Sequence, residues 1–415
     1  MNARTPRESR PSAPLAWSDP PLRELAWAIG ICLVFVVATR LPVARIEPIE
    51  SDEFGFLELI RASWFPMHHT LFLTLARCAG MVVGDAFRGF IWLDMATSWG
   101  ALVSVWWLLR GFADRWTAAG ATGLLAVGPV FWGNGAIAAN YTAIVMIGSL
   151  LLGIAWRDLD RPSRAHPYAA ALVFALGAGY RSDVLTLWLP VLAAILWRHR
   201  WVRAIAAGML AIAVFTAWFS LMLNDVGGWA RYREKSAAFA YHAGYLNSVW
   251  NLGLLDGPVR YSLKLGIALP WTLGLGLVFI PLGLIRLAAS VDGRRRLYFL
   301  ALTVLPALFT HLLVHFGSQG YVLHYIPALL VLVVVGARGN SGQADWKTAG
   351  RLGVCSLVSA AVFLLYPTDY HRPGWRGDFD LSFCRMTRLG LRAAMPEGGA
   401  KSWRTANSRP LAKSD

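Results

Sequence analysis

Acidic residues are scarce in this chain of 415 residues: 24 Asp and Glu stand against 39 Lys and Arg, for a net charge of +15. Cysteine is scarcer still. Cys32, Cys78 and Cys355 lie in apolar stretches and Cys384 lies near the C-terminus, with no CxxC pair and no metal-ligand spacing. That excludes a disulfide framework and a thiolate metal site. Charged residues of both signs make up only 15% of the chain, and no tandem repeat is present. No cleavable signal peptide is legible. Residues 1–24 are polar, Pro-rich and basic, too long for an n-region, and no small-residue cleavage site follows the first apolar run. Lysine is rare beside arginine and alanine. That composition suggests a GC-rich bacterium and hence the bacterial inner (plasma) membrane.

Apolar surface, by contrast, is abundant. Hydrophobic residues reach 56% and mean hydropathy is +0.47, more than a single soluble core can hide. Apolar runs of roughly 15 to 22 residues, separated by charged or Pro/Gly breaks, predict an all-α polytopic membrane protein. The frequent Trp suits rings seated at membrane interfaces. Most arginines fall in short loops between these runs, so the basic balance reads as membrane topology. The partner it implies is the lipid bilayer, not nucleic acid.

The expected spans are 25–41, 90–109, 117–132, 140–156, 167–180, 184–197, 204–222, 265–286, 297–315, 321–337 and 350–366, about eleven transmembrane helices. Residues 1–22 read as a disordered cytoplasmic tail, 23–366 as the transmembrane domain, and 367–415 as a periplasmic, partly disordered tail with weak helical content around 381–394. Ser51 is a plausible N-cap for a helix through Arg61 with Phe56, Leu57, Leu59 and Ile60 on its apolar side. The next apolar segment, His68 to about Gly84, is short and carries Arg77 midway. A central Arg in a span costs about 2.5–3.5 kcal/mol. If 68–84 does not cross, the loops bearing Arg110/Arg115, Arg157/Arg161/Arg164, Arg198/Arg200/Arg203 and Arg294/Arg295/Arg296 all lie inside. Segment 52–84 is therefore read as periplasmic interfacial helices, with the N-terminus cytoplasmic. The outer face then collects the acidic loop, Phe131–Tyr141, Gly179–Asp183, the long periplasmic loop 223–264, Gly317–Tyr321 and the tail from Pro367.

Five stretches stand out in order. Glu50-Ser51-Asp52-Glu53 puts three carboxylates in four residues just after the first span. His69-Thr70-Leu71-Phe72 opens the second helix. Trp92-Leu93-Asp94-Met95-Ala96-Thr97 starts a span. Gly128-Pro129-Val130-Phe131-Trp132 leads to Ala139-Asn140-Tyr141, and Gly320-Tyr321-Val322-Leu323 precedes Pro327. A span, an acidic pair, an amphipathic helix and a His at the mouth of an apolar segment: this order resembles the GT-C glycosyltransferases. Those are polytopic enzymes that take a sugar from a polyprenyl-phosphate or diphosphate donor. The resemblance is nearest to the protein O-mannosyltransferase-like branch and its bacterial relatives, and it covers most of residues 48 to 335. The chain departs from the pattern at Thr70, where the motif has Pro, at Asp94, usually Asn, and at Ala139, usually Glu. Some relatives carry an Arg-Tyr pair where Gly320-Tyr321 stands, so the donor phosphate needs a different cation here.

The resemblance implies inverting transfer, which needs a base for the acceptor proton, cations or dipoles for the leaving phosphate, and a groove for the lipid. It makes Asp52 the expected base, Glu53 an orienting group and Glu50 the reserve candidate. The structural alternative is that these acids favour the N-terminal dipole of the surface helix. For donor or acceptor binding the candidates are His68, His69, Tyr141, Arg181, Arg231, Arg233, Tyr321 and His324. Arg181 can bind phosphate or close a turn with Asp183. Arg231 and Arg233, with Lys235, form a basic patch in the long outer loop, or a solvated face. His311 and His315 share a helix face at i, i+4. No carboxylate sits beside them in sequence, so a divalent metal is open in principle but unsupported by ligand spacing. They are the reserve lining for a donor-phosphate site near Tyr321. Asp94 is expected to pair with Arg88 or Arg77. No cofactor is implied. The expected partners are a polyprenyl-phosphate-linked sugar and a glycan, lipid or protein acceptor. A transporter or lipid flippase is the alternative from another class, though the inverted repeats it calls for are not found. A non-catalytic relative of the transferases is the third reading.

Overall fold

The computed structural model describes residues 17–44, 51–338 and 346–365. Among them the only regular structure is helical. The order is α1 (Leu22–Arg40), α2 (Ser51–Ala62), α3 (Thr70–Val83), α4 (Ala86–Arg110), α5 (Arg115–Ala126), α6 (Pro129–Asn134), α7 (Thr142–Asp160), α8 (His166–Tyr180) and α9 (Val184–Leu187). Then come α10 (Leu189–Trp197), α11 (Trp201–Val226), α12 (Trp229–Phe239), α13 (Val249–Leu252), α14 (Asp256–Leu273), α15 (Phe279–Ala288), α16 (Gly293–Leu313), α17 (Ile326–Ala337) and α18 (Trp346–Leu365).

Local chemistry explains where these elements break. α3 closes on Gly84 at φ +76, and α4 opens on Asp85, whose carboxylate accepts from the Arg88 N–H at 2.7 Å. The pair is bent by 115°. Gly89 lets the two helices touch, since a Cβ there would lie 2.4 Å from the Gly80 nitrogen. α3 has 14 residues, about 21 Å, too short to cross a hydrocarbon core of roughly 30 Å unaided. The run expected at 117–132 divides into α5 and α6 at Gly128-Pro129. The run at 265–286 carries Pro270 and a 3-10 turn, Gly274–Val278, between α14 and α15. Much of the loop expected over 223–264 is helical, as α12, α13 and the start of α14.

α7 and α17 form the centre. α17 is apolar on all sides and almost wholly buried, as a helix surrounded by protein should be. α1, α11, α15 and α18 are peripheral and turn large apolar residues outward, among them Val34, Ile212, Ile285 and Leu357. In a soluble protein that exposure would be a defect; toward lipid it is the normal surface. Five segments are long and apolar enough to cross a membrane on their own: Leu22–Arg40, Thr142–Asp160, Trp201–Val226, Asp256–Ala288 and Gly293–Leu313. α3 and α4 make a sixth if the bent pair is one broken span. The fold is thus an all-α polytopic membrane architecture. The expected count of eleven depends on the shorter helices crossing in company.

At one end of the bundle, the segment expected to be a tail is ordered from Trp17 on. Trp17 is buried, lies 5.0 Å from the Trp107 ring and donates its backbone N–H to Asp160 at 2.5 Å. Nearby, buried Asp158 accepts from His166 Nδ1 at 2.9 Å, His199 Nε2 at 3.1 Å and Arg198 Nε at 3.3 Å. Arg296 pairs with Asp160 at 2.7 Å. These contacts tie α7, α8, α10 and α16 together at that end, the one expected to lie inside. The C-terminal tail expected over 367–415, with its helix around 381–394, lies outside the described residues.

Candidate functional site

At the opposite ends of the same helices the chain gathers a second polar cluster, centred on Arg181. α8 stops at Tyr180 and the backbone turns through Arg181, Ser182 and Asp183 into α9. The Arg181 side chain is buried, with 3% of the residue exposed. Its Nε donates to Asp183 Oδ2 at 2.9 Å and its Nη1 to Asn140 Oδ1 at 2.5 Å. Its guanidinium lies 4.1 Å from the centre of the Tyr141 ring and 5.2 Å from that of Tyr321. A buried charge persists only when paired and bonded; here a carboxylate, an amide and two ring faces share it. Burial opposes the charge on Arg181, but Asp183, Tyr141 and Tyr321 outweigh it and raise its pKa. Burial likewise opposes ionisation of Asp183, and Arg181 and then His324 hold its pKa well below the usual carboxylate range. Both groups stay charged at neutral pH.

Asn140 and Tyr141 precede α7. Asn140 adopts φ +47, a left-handed conformation that Asn tolerates better than most residues. Asp94, fully buried on α4, supports this turn by accepting from the backbone N–H of Ala139 at 2.8 Å and of Asn140 at 3.5 Å. This corrects the expected pairing with Arg88 or Arg77. Arg88 is exposed, and Arg77 donates to the Ser63 carbonyl at 2.8 Å while stacking 3.9 Å from the Trp64 ring centre.

The 3-10 turn Gln319–His324 brings Gly320, Tyr321 and His324. Gly320 lies flat on the Tyr141 ring, where a Cβ would come within 2.4 Å of a ring carbon. No arginine fits there. Arg181 instead reaches the Tyr141–Tyr321 pair from the end of α8. His324 Nε2 approaches Asp183 Oδ2 at 3.4 Å. His311, near the end of α16, bonds the Tyr325 hydroxyl through Nδ1 at 2.6 Å, and its ring centre is 5.2 Å from that of His324. The expected i, i+4 face is not kept, because α16 ends at Leu313. His315 lies beyond it, its ring centre 5.6 Å from that of Tyr321. Burial first, then Lys264, Arg181 and Arg260, push the His315 pKa down to about 4. Lys264 of α14 donates to the Phe316 carbonyl at 3.4 Å.

His68 and His69 sit between α2 and α3 with φ of +61 and +48. The His69 ring centre is 5.9 Å from that of Phe56 on α2, and burial followed by Arg181 pushes its pKa down to about 3. The His68 ring is 4.1 Å from Phe239 of α12, and burial lowers its pKa. Buried polar atoms normally have partners. Here His69 Nδ1, Asn140 Nδ2, Asp183 Oδ1, His311 Nε2 and His315 Nδ1 have none among the described residues. Cations together with free donors and acceptors suit a multi-oxygen anion and its polar substituents.

The structure thus brings together His69, Tyr141, Arg181, Tyr321 and His324 of the expected set, with His68 at the edge. Arg231 and Arg233 are exposed on α12 and take no part in the cluster. Glu50 lies outside the described residues. The backbone of Asp52 and Glu53 forms the start of α2, and their side chains lie outside the description. Asn140, Tyr325 and Lys264 lie outside the expected set; Lys264 falls at the end of the loop expected over 223–264 and is buried on α14. Among the described residues no group of three or more His, Cys, Asp or Glu is arranged to hold a metal ion.

The architecture is the polytopic GT-C fold. ArnT from Cupriavidus metallidurans, a GT-C glycosyltransferase, shares it. In the apo state that structure superposes at TM-score 0.57 and 13% identity, over 90% of this chain and 68% of that one. Bound to undecaprenyl phosphate, it does so at 0.58 and 14%, over 90% and 71%. At this identity the likeness reaches the fold, and it does not single out the protein O-mannosyltransferase-like branch. No family model and no curated protein sequence matches the chain.

Proposed function

We propose that this protein is an integral-membrane glycosyltransferase that moves a sugar from a polyprenyl-phosphate donor to an acceptor hydroxyl on the periplasmic face, with inversion. The observation that carries the reading is the buried Arg181, seated on Tyr141 and Tyr321 among buried polar atoms that have no partner among the described residues. The neighbouring ArnT structure bound to undecaprenyl phosphate supports the choice of donor.

In this mechanism a carboxylate takes the acceptor proton and the acceptor oxygen attacks the anomeric carbon. The bond from that carbon to the phosphate oxygen breaks, and its electron pair leaves with the phosphate. Arg181 meets the developing charge, with Lys264 and Arg260 close by. Asp183 is a poor base, because its pairing with Arg181 and His324 holds its pKa too low to accept a proton readily. Its role is to hold Arg181 in place. The base is assigned to Asp52, at the start of α2 and one helical turn before Phe56, which packs on His69. Glu53 orients the acceptor, and Glu50 is the reserve base.

The test uses purified protein, labelled polyprenyl-phosphate sugars and cell-envelope acceptors. Wild type is expected to transfer label, and Asp52→Asn to lose roughly 10²–10⁴-fold in rate. Equal rates would remove Asp52 as the base. Donor binding without transfer by wild type would make the protein a non-catalytic partner. No donor binding at all would overturn the reading.

A further inference from the structure

A cavity of about 660 Å³ opens on the inner side between α10 and α16, far along the helices from the Arg181 cluster. Its walls are apolar, with Ala193, Trp197 and Leu302 among them, and Arg198, Arg294 and Arg295 stand at its inner rim. The volume is in the range of a small-molecule site, roughly 300–1,000 Å³. Arg198 is partly neutralised by Asp158 at 3.3 Å. Arg294 and Arg295 are exposed in the first turn of α16, where the helix dipole adds positive potential. Among the described residues no carboxylate lies within ion-pair distance of either. Trp197 is 91% exposed and Tyr298 56%, as side chains at the edge of a bilayer are.

The loop charges put this rim at the cytoplasmic headgroup level. A basic rim above an apolar slot between helices on that side matches a lipid whose phosphate carries net negative charge and whose chain lies along the protein. We propose that the groove between α10 and α16 binds an anionic glycerophospholipid of the cytoplasmic leaflet. Its phosphodiester sits on Arg294 and Arg295, and one acyl chain lies against Ala193 and Leu302. The site is independent of the transferase reading, because it uses none of the outer residues.

Native mass spectrometry of the full-length protein with added phosphatidylglycerol or phosphatidylcholine tests this. Wild type is expected to retain one phosphatidylglycerol in preference to phosphatidylcholine. The double variant Arg294→Gln, Arg295→Gln is expected to weaken retention about thirtyfold, and the double Lys variant by less than about threefold. Ala193→Trp, which fills the slot at an exposed position, is expected to block binding with an unchanged melting temperature in lipid-free detergent. Equal retention of the two lipids, or undiminished phosphatidylglycerol in both the Gln and Trp variants, would overturn the assignment. So would displacement of phosphatidylglycerol by an equal concentration of undecaprenyl phosphate. Should the Gln variant fold poorly, the wild-type salt dependence decides: retention that does not weaken as salt rises excludes a headgroup held by arginine.

Discussion

Two buried ion clusters sit at opposite ends of one helix bundle, and they differ in how fully their polar atoms are used. At one end Asp158 takes bonds from His166, His199 and Arg198, and Arg296 is paired with Asp160. None of these side chains retains a buried polar atom without a partner. At the other end Arg181 is also buried and well paired, yet Asp183, Asn140, His69, His311 and His315 each retain one with no partner among the described residues. A cluster whose bonding is complete is a fastening. One that is paired enough to exist but not enough to be satisfied is arranged for something else to complete it.

The largest effect that would sharpen this contrast is on stability. Asp158→Ala strands buried histidines and Arg198 without their acceptor and is expected to cost about 3–5 kcal/mol, read by thermal unfolding in detergent. A loss below about 1 kcal/mol would break the picture of a fastening at the Asp158 end. Next comes chemistry. Arg181→Gln is expected to lower the transfer rate about 10²–10³-fold, while Asp158→Asn leaves the rate per folded molecule within about twofold. Matching losses would mean that the two ends are not separate in role.

Gly320→Ala drives a methyl into the Tyr141 ring and is expected to cost about 1–3 kcal/mol. Its effect should fall on donor affinity as well, because Tyr141 also seats Arg181. A smaller effect is expected from pH. The folded pKa of His69 is about 3, below its ordinary value near 6.5, so between those values the unfolded chain binds more protons. Stability is therefore fully present above about pH 6.5 and is lost as pH falls toward 3. His69→Gln should flatten that slope by no more than one proton, measured by unfolding across pH. The smallest effect is expected from Arg231→Gln with Arg233→Gln on exposed α12, within about 0.5 kcal/mol in stability and without loss of transfer.

Much of the fold was legible because hydrophobic runs report directly on the bilayer. α1, α7, α11 and α16 appear close to their expected ranges for that reason. Where proline and glycine interrupt a run, at Gly128-Pro129 and from Pro270 to Gly274, the pattern marked apolar continuity but not the break. The site was legible in part. Arg181, Tyr141, Tyr321 and His324 were named separately, by charge in an outer loop and by resemblance. Nothing in their spacing showed that they meet. Asp94 departs from its expected pairing: an acid within a helix suggests a nearby cation, but it accepts from backbone amides 45 and 46 residues away. Lys264 closes the loop expected over 223–264, and only its place in α14 brings it near His315.

By itself the sequence determined the solvent in which the chain folds, because each residue's cost of transfer into lipid is its own. Only the tertiary structure decided which cation faces Tyr321. Gly320 leaves no room for a side chain against Tyr141, and the end of α8 brings Arg181 onto both rings. That outcome depends on how close two distant helix ends approach, which no single stretch of residues encodes.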